Sequence, residues 1–141
     1  MPLLFDMPRE RLETYQGINP RPADFEDYWE RGLAEMRSVD PAVELVPAEF
    51  QTPFAECFDM FFTGVGGARI RAMLVRPKHV PGPHPAVVQF HGYTGSAGEW
   101  SDRLAYASLG FTVAALDCRG QGGLSEDSGS VKGNTLLGHI V

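Results

Sequence analysis

Two short apolar runs, one helix apart, constrain this chain most. Ala86–Phe90 (AVVQF) leads into His91-Gly92-Tyr93-Thr94-Gly95, and Phe111–Leu116 (FTVAAL) leads into Asp117-Cys118-Arg119-Gly120-Gln121-Gly122-Gly123. Runs this apolar fit parallel strands covered on both faces. Between them, Trp100–Leu109 predicts a helix that ends at Gly110, a residue suited to the left-handed turn after a helix. Strand, helix and strand make a βαβ unit. Its two loops then leave the sheet at its carboxyl edge, where α/β folds hold their ligands.

The segment before this unit reads differently. Val43–Glu49 alternates weakly, and Phe54–Thr63 is rich in aromatic residues. Gly64-Val65-Gly66-Gly67 predicts a turn. Arg69–Arg76 alternates clearly, with Ile70, Ala72 and Leu74 on one face and Arg69, Arg71 and Met73 on the other. A hairpin with one solvated face is expected. Pro77–Pro85 holds four prolines and reads as a loop.

Residues 1–22 also carry four prolines, which predicts an extended arm with one helical turn near Arg9–Tyr15. A domain over residues 23–141 follows. Its first helix starts at Asp24, where Asp24 and Asp27 resemble a capping box, and ends at Ser38-Val39-Asp40-Pro41. Phe25, Tyr28, Trp29, Leu33 and Met36 form an apolar stripe at helical spacing along it.

The net charge of −6 argues against nucleic acid or an anionic membrane as partner, because no basic field attracts phosphate. The two cysteines, Cys57 and Cys118, fit reduced, mostly buried thiols. No Cys/His cluster has zinc spacing. The start, Met1-Pro-Leu-Leu-Phe-Asp-Met-Pro, has neither the basic region nor the apolar stretch of a signal peptide, and no membrane span is expected. A cytoplasmic location is the expectation.

Chemistry points first to His91-Gly92-Tyr93. Gly92 allows a tight turn close to a ligand, and the backbone N–H of Tyr93 suits a developing oxyanion. A preplaced donor there is worth about 3 kcal/mol in ester hydrolysis. His91 suits a role in ordering that loop better than that of general base, since the base of such hydrolases follows the nucleophile in chain order. His79 and His84 fall in the proline-rich loop and are expected in solvent, and His139 has no assigned role. Arg119 is expected to pair with a carboxylate, and Glu126 and Asp127 to face solvent. The run Gly-Gln-Gly-Gly matches neither a dinucleotide fingerprint nor a phosphate-binding loop. No G-x-S-x-G occurs, and none of the seven serines sits on a strand-to-helix elbow. The order of elements reads as the front half of an α/β-hydrolase that stops before its nucleophile.

Five stretches together resemble the acetyl xylan esterase / cephalosporin-C deacetylase family of carbohydrate esterases. They are Met1–Pro8, Arg21–Trp29, Phe90–Gly95, Asp117–Ser125 and Gly133–Ile140. The resemblance implies the N-terminal part of an α/β-hydrolase fold: an antiparallel hairpin start, then a parallel βαβ unit. It implies a serine esterase without metal or organic cofactor, acting on acetylated xylo-oligosaccharides and cephalosporin C, in a closed homohexamer. It maps one oxyanion donor onto the N–H of Tyr93. The second donor and the Ser, Asp and His triad fall beyond Val141, so this chain by itself is expected to be inactive. The alternatives at this stage are a fragment cut short, the N-terminal piece of a longer protein, a non-catalytic assembly module, and an esterase or peptidase of other specificity.

Overall fold

The computed structural model describes residues 7–128. The first six residues and 129–141 lie outside the described residues. The family-like runs at Met1–Asp6 and Gly133–Ile140, with Ser130 and His139, therefore lie there too. The chain divides into two compact units, Met1–Ala34 and Glu35–Val141.

The first unit holds α1 (Arg9–Leu12) and most of α2 (Phe25–Ser38). Extended Pro8 directly precedes α1, and a turn from Pro22, closed by the Phe25 N–H on Pro22 O at 3.2 Å, leads into α2. The Phe25 ring meets Trp29 edge-on at 6.3 Å and carries the Arg21 guanidinium at 4.5 Å, and Arg21 also pairs with Glu26. The expected stripe of Phe25, Tyr28, Trp29, Leu33 and Met36 is present, and all five side chains are exposed.

The second unit is built on one mixed sheet of five strands in the order β1-β2-β3-β5-β4. The strands are β1 (Glu44–Pro47), β2 (Ala55–Thr63), β3 (Arg69–Pro77), β4 (Ala86–Phe90) and β5 (Thr112–Leu116). β1, β2, β3 and β5 pair antiparallel in succession, while β4 lies parallel to β5. The crossover from β4 to β5 is a 3₁₀ turn, Trp100–Arg103, followed by α3 (Leu104–Ser108). Gly110 ends it at φ 86°, a conformation that glycine adopts without strain. The hairpin start and the βαβ unit are as the sequence indicates.

Three expectations about burial are corrected. The face of β3 that carries Arg71 and Met73 is not solvated: Trp100 packs on Met73, Ala97 and Ala115. Trp100 and Leu104 also cover Cys57, Val75 and Ala107. The alternation of β3 is real, but the crossover lies on the face that sequence alone assigned to water.

β4 is not covered on both faces. It is the edge strand, and Val88 and Phe90 are 63% and 69% exposed. β5 is likewise not fully buried: Val113 and Ala115 face the crossover and are buried, whereas Ala114 and Leu116 are half-buried. On that second face Met60, Phe62, Ala72, Val88, Phe90 and Leu116 surround an apolar hollow of about 270 Å³. A run of apolar residues signals burial, but it does not say which element provides the cover.

Candidate functional site

Because β4 and β5 run parallel, their carboxyl ends place residues 91–97 and 117–124 side by side. Backbone and side-chain bonds join the two loops at four points. The Cys118 N–H donates to His91 Nε2 at 2.9 Å. The Thr94 N–H donates to Gln121 Oε1 at 2.8 Å, the Gly122 N–H to Gly95 O at 2.9 Å, and the Ala97 N–H to Asp117 Oδ1 at 2.6 Å. Gly122 must be glycine for the loops to approach this closely: a Cβ there would stand 2.6 Å from Thr94 O.

Asp117 is the anchor of the second loop. It directly follows β5, is 1% exposed, and is the buried charged residue among those described. Its carboxylate also accepts the Leu124 N–H at 3.1 Å and Arg71 Nη1 at 3.1 Å. Arg71 pairs in addition with Asp59, so it bridges two carboxylates. A buried carboxylate needs this number of donors to offset its lost hydration. The expectations for this segment named Arg119 rather than Asp117. The sequence signal for Asp117 was its position, a carboxylate directly after a buried strand.

Further along, the chain returns to β3. The Arg71 N–H donates to Ser125 Oγ, the Glu126 N–H to Arg69 O, and the Arg69 N–H to Glu126 Oε2. Arg119 donates to Asp127 Oδ1 at 3.0 Å and to Val65 O at 2.7 Å, so it has the carboxylate partner its sequence context suggests. Glu126 is exposed, but both it and Asp127 hold partners across the loop. They are therefore not simply solvent-facing, because the loop folds back over β3.

The first loop turns at Gly92, where the Gly95 N–H donates to Gly92 O at 3.0 Å. Thr94 takes φ 62°, held by the bond from its N–H to Gln121. Tyr93 is 52% exposed, and its N–H meets no acceptor among the described residues. His91 Nδ1 lies 2.7 Å from Gly92 O. Since Nε2 accepts from Cys118, Nδ1 carries the proton and donates. Both ring nitrogens are thus occupied, and the ring has no lone pair left for general-base work.

Beside this loop a hollow of about 430 Å³ is lined by Gln89, His91, Ser96, Ala97 and Arg103. Gln89 Oε1 and Arg103 Nε are buried without a partner among the described residues. Ser96 Oγ accepts the Gly98 N–H at 3.4 Å. His79 is exposed, and His84 is tied to Val80 O and Thr112 Oγ1 away from the site. No cluster of three metal-ligating side chains occurs among the described residues, and no described helix is long and apolar enough to cross a membrane.

A mixed sheet of this topology, with a His-Gly-Tyr turn after one parallel strand and an Asp-Cys-Arg-Gly turn after the next, is the N-terminal portion of an α/β-hydrolase fold. The chain belongs to the acetyl xylan esterase (AXE1) family, whose pattern matches residues 1–141. It is similar to acetyl xylan esterase 1 from Thermoanaerobacterium sp. JW/SL YS485, at 57% identity and a TM-score of 0.86, over 96% of this chain and 42% of that one. It is also similar to the acetyl xylan esterase from Paenibacillus sp. R4, at 29% identity and a TM-score of 0.78, over 94% of this chain and 44% of that one. The chain therefore spans less than half the length of these two solved relatives.

Proposed function

We propose that this chain is the N-terminal part of an acetyl esterase and supplies one donor of its oxyanion hole, the N–H of Tyr93. The observation that carries the reading is the loop itself: the N–H of an exposed residue, without an acceptor among the described residues, at the carboxyl edge of the sheet, in a turn braced by the neighbouring loop. His91 and Gly92 shape that turn and border the substrate. Attack of a serine on the acetyl carbonyl moves negative charge onto its oxygen, and the Tyr93 N–H meets that charge. Collapse expels the sugar alcohol, and water then frees acetate from the serine. No step calls for a metal or organic cofactor.

The serine, its base and its acid belong in this reading to the rest of the fold, since this chain covers 42% and 44% of the two solved relatives. The 141 residues alone are then inactive. Acetylated xylo-oligosaccharides are the substrate class indicated by the family. Cephalosporin C as a second substrate and a homohexameric assembly complete the reading on the strength of the resemblance, and a cytoplasmic location and an N-terminal arm over residues 1–22 on the character of the sequence.

The test is the intact mass of the native protein with p-nitrophenyl acetate turnover on the same sample. A polypeptide well above 15.5 kDa that turns over, and whose organophosphate-labelled serine maps outside residues 1–141, is the expected result. Labelling of Ser96 instead, or a larger polypeptide without turnover, overturns the proposal.

A further inference from the structure

The Tyr93 N–H shares a peptide plane with the Gly92 carbonyl. That peptide is trans, so its N–H and C=O point in opposite directions, and whatever grips Gly92 O also aims the N–H of Tyr93. Two donors grip it, His91 Nδ1 at 2.7 Å and the Gly95 N–H at 3.0 Å. The imidazole is itself fixed from behind by the Cys118 N–H on Nε2 at 2.9 Å. The backbone of the second loop thus reaches the Gly92–Tyr93 peptide through the His91 side chain, beside a backbone route from the Gly122 N–H to Gly95 O.

We propose that His91 is a positioning residue: it relays the order of the 117–124 loop to the Gly92–Tyr93 peptide and so aims and strengthens the Tyr93 N–H. The inference rests on the reading of that N–H as an oxyanion donor. Hydrogen bonds in a chain polarise one another. A donor on Gly92 O draws electron density through the amide, which leaves the N–H of Tyr93 more positive. The neutral imidazole can do this because one nitrogen accepts while the other donates. Gly95 adds a second bond to the same oxygen and is tied to the second loop at Gly122, not at Cys118.

Asparagine and glutamine separate the two ends of the ring. The His91→Asn amide reaches the place of Nδ1 and keeps a donor for Gly92 O, but loses the acceptor for Cys118. His91→Gln reaches the place of Nε2, with the opposite result. Both are made in the native, full-length protein, and amide hydrogen exchange and p-nitrophenyl acetate kinetics are measured on each. We expect exchange at Cys118 to speed up by about tenfold in His91→Asn and to stay near wild type in His91→Gln. We expect kcat to fall by about tenfold or more in His91→Gln, which loses the direct donor, and by about threefold in His91→Asn, which keeps the donor but loses its anchor, with KM little changed in both. A wild-type kcat in His91→Asn, or in both variants, overturns the relay. A Tyr93→Pro variant with full turnover refutes the donor reading instead, and an exchange pattern without the Asn/Gln contrast refutes the relay even where turnover is absent.

Discussion

Arg71 and Asp117 hold each other twice. Arg71 Nη1 donates to Asp117 Oδ2 at 3.1 Å, and the Asp117 N–H donates to Arg71 O at 3.0 Å. The antiparallel pairing of β3 with β5, which ends at Ala72 opposite Leu116, brings the two residues together one step further along. The same carboxylate then binds the Ala97 and Leu124 N–H groups, so one side chain joins the sheet to both loops of the candidate site.

Replacing Asp117 with Ala removes this junction and leaves two backbone donors and one arginine contact unmet. Breaking a buried pair by removing one partner costs roughly 3–5 kcal/mol. Arg71 keeps Asp59, which places the expected loss near the lower end of that range. Asp117→Asn retains one acceptor oxygen for Ala97 and is expected to lose less. Urea denaturation of the native protein checks both, and a loss below about 1 kcal/mol for Asp117→Ala shows that the junction is not structural.

Much of this fold was legible in the sequence because its signals are local. The Gly64–Gly67 turn, the stop at Gly110 and the two strand-to-glycine transitions each depend on a few neighbouring residues. The burial of Met73, the exposure of Val88 and Phe90 and the anchoring role of Asp117 were not legible. Each depends on what lies across the sheet, and one strand's pattern cannot report that. For the site, sequence located His91, Gly92 and Tyr93 on one loop. It did not reveal that Cys118 fixes the imidazole, because a backbone N–H donates that bond and carries no side-chain signature.

Two glycines should respond in opposite ways to alanine. Gly122→Ala drives a Cβ against the backbone oxygens of Thr94 and Gly95, at 2.6 and 3.1 Å, and neither can retreat without opening the loop contact. A loss of about 1–3 kcal/mol is expected, as for other overpacked sites. Gly32 lies inside α2 with nothing within 4 Å of the added carbon. Alanine there should stabilise the helix by about 0.5–1 kcal/mol. Thermal unfolding of the two variants beside wild type decides the matter, and a neutral Gly122→Ala contradicts the close packing of the loops.

The two thiols should also separate by reactivity and by pH. Cys57 is fully buried, and desolvation pushes its pKa up, against a smaller opposing pull from Lys78. Cys118 is only half-buried. In the native protein a thiol reagent should therefore label Cys118 and reach Cys57 only after unfolding. With a raised folded-state pKa, the contribution of Cys57 is fully present below the ordinary thiol range. It is lost as pH rises through that range, because the unfolded chain releases the proton first. Stability measured at about pH 8 and at about pH 10 should fall more steeply in wild type than in Cys57→Ala. Equal slopes would show that the buried thiol takes no part.

Backbone and side chain of Tyr93 can be tested apart. Tyr93→Phe removes only the phenol hydroxyl and keeps the N–H, so turnover of p-nitrophenyl acetate by the native protein should stay near wild type. Tyr93→Pro removes the N–H, and Tyr93 has no positive φ that would bar a proline from this turn. If this N–H meets the oxyanion, kcat should fall by about 10²–10³-fold, the usual effect of losing one such donor, while KM changes little. A phenylalanine variant that loses as much as the proline variant would move the role from the backbone to the exposed ring. Substrate recognition, not charge stabilisation, would then be the work of this loop.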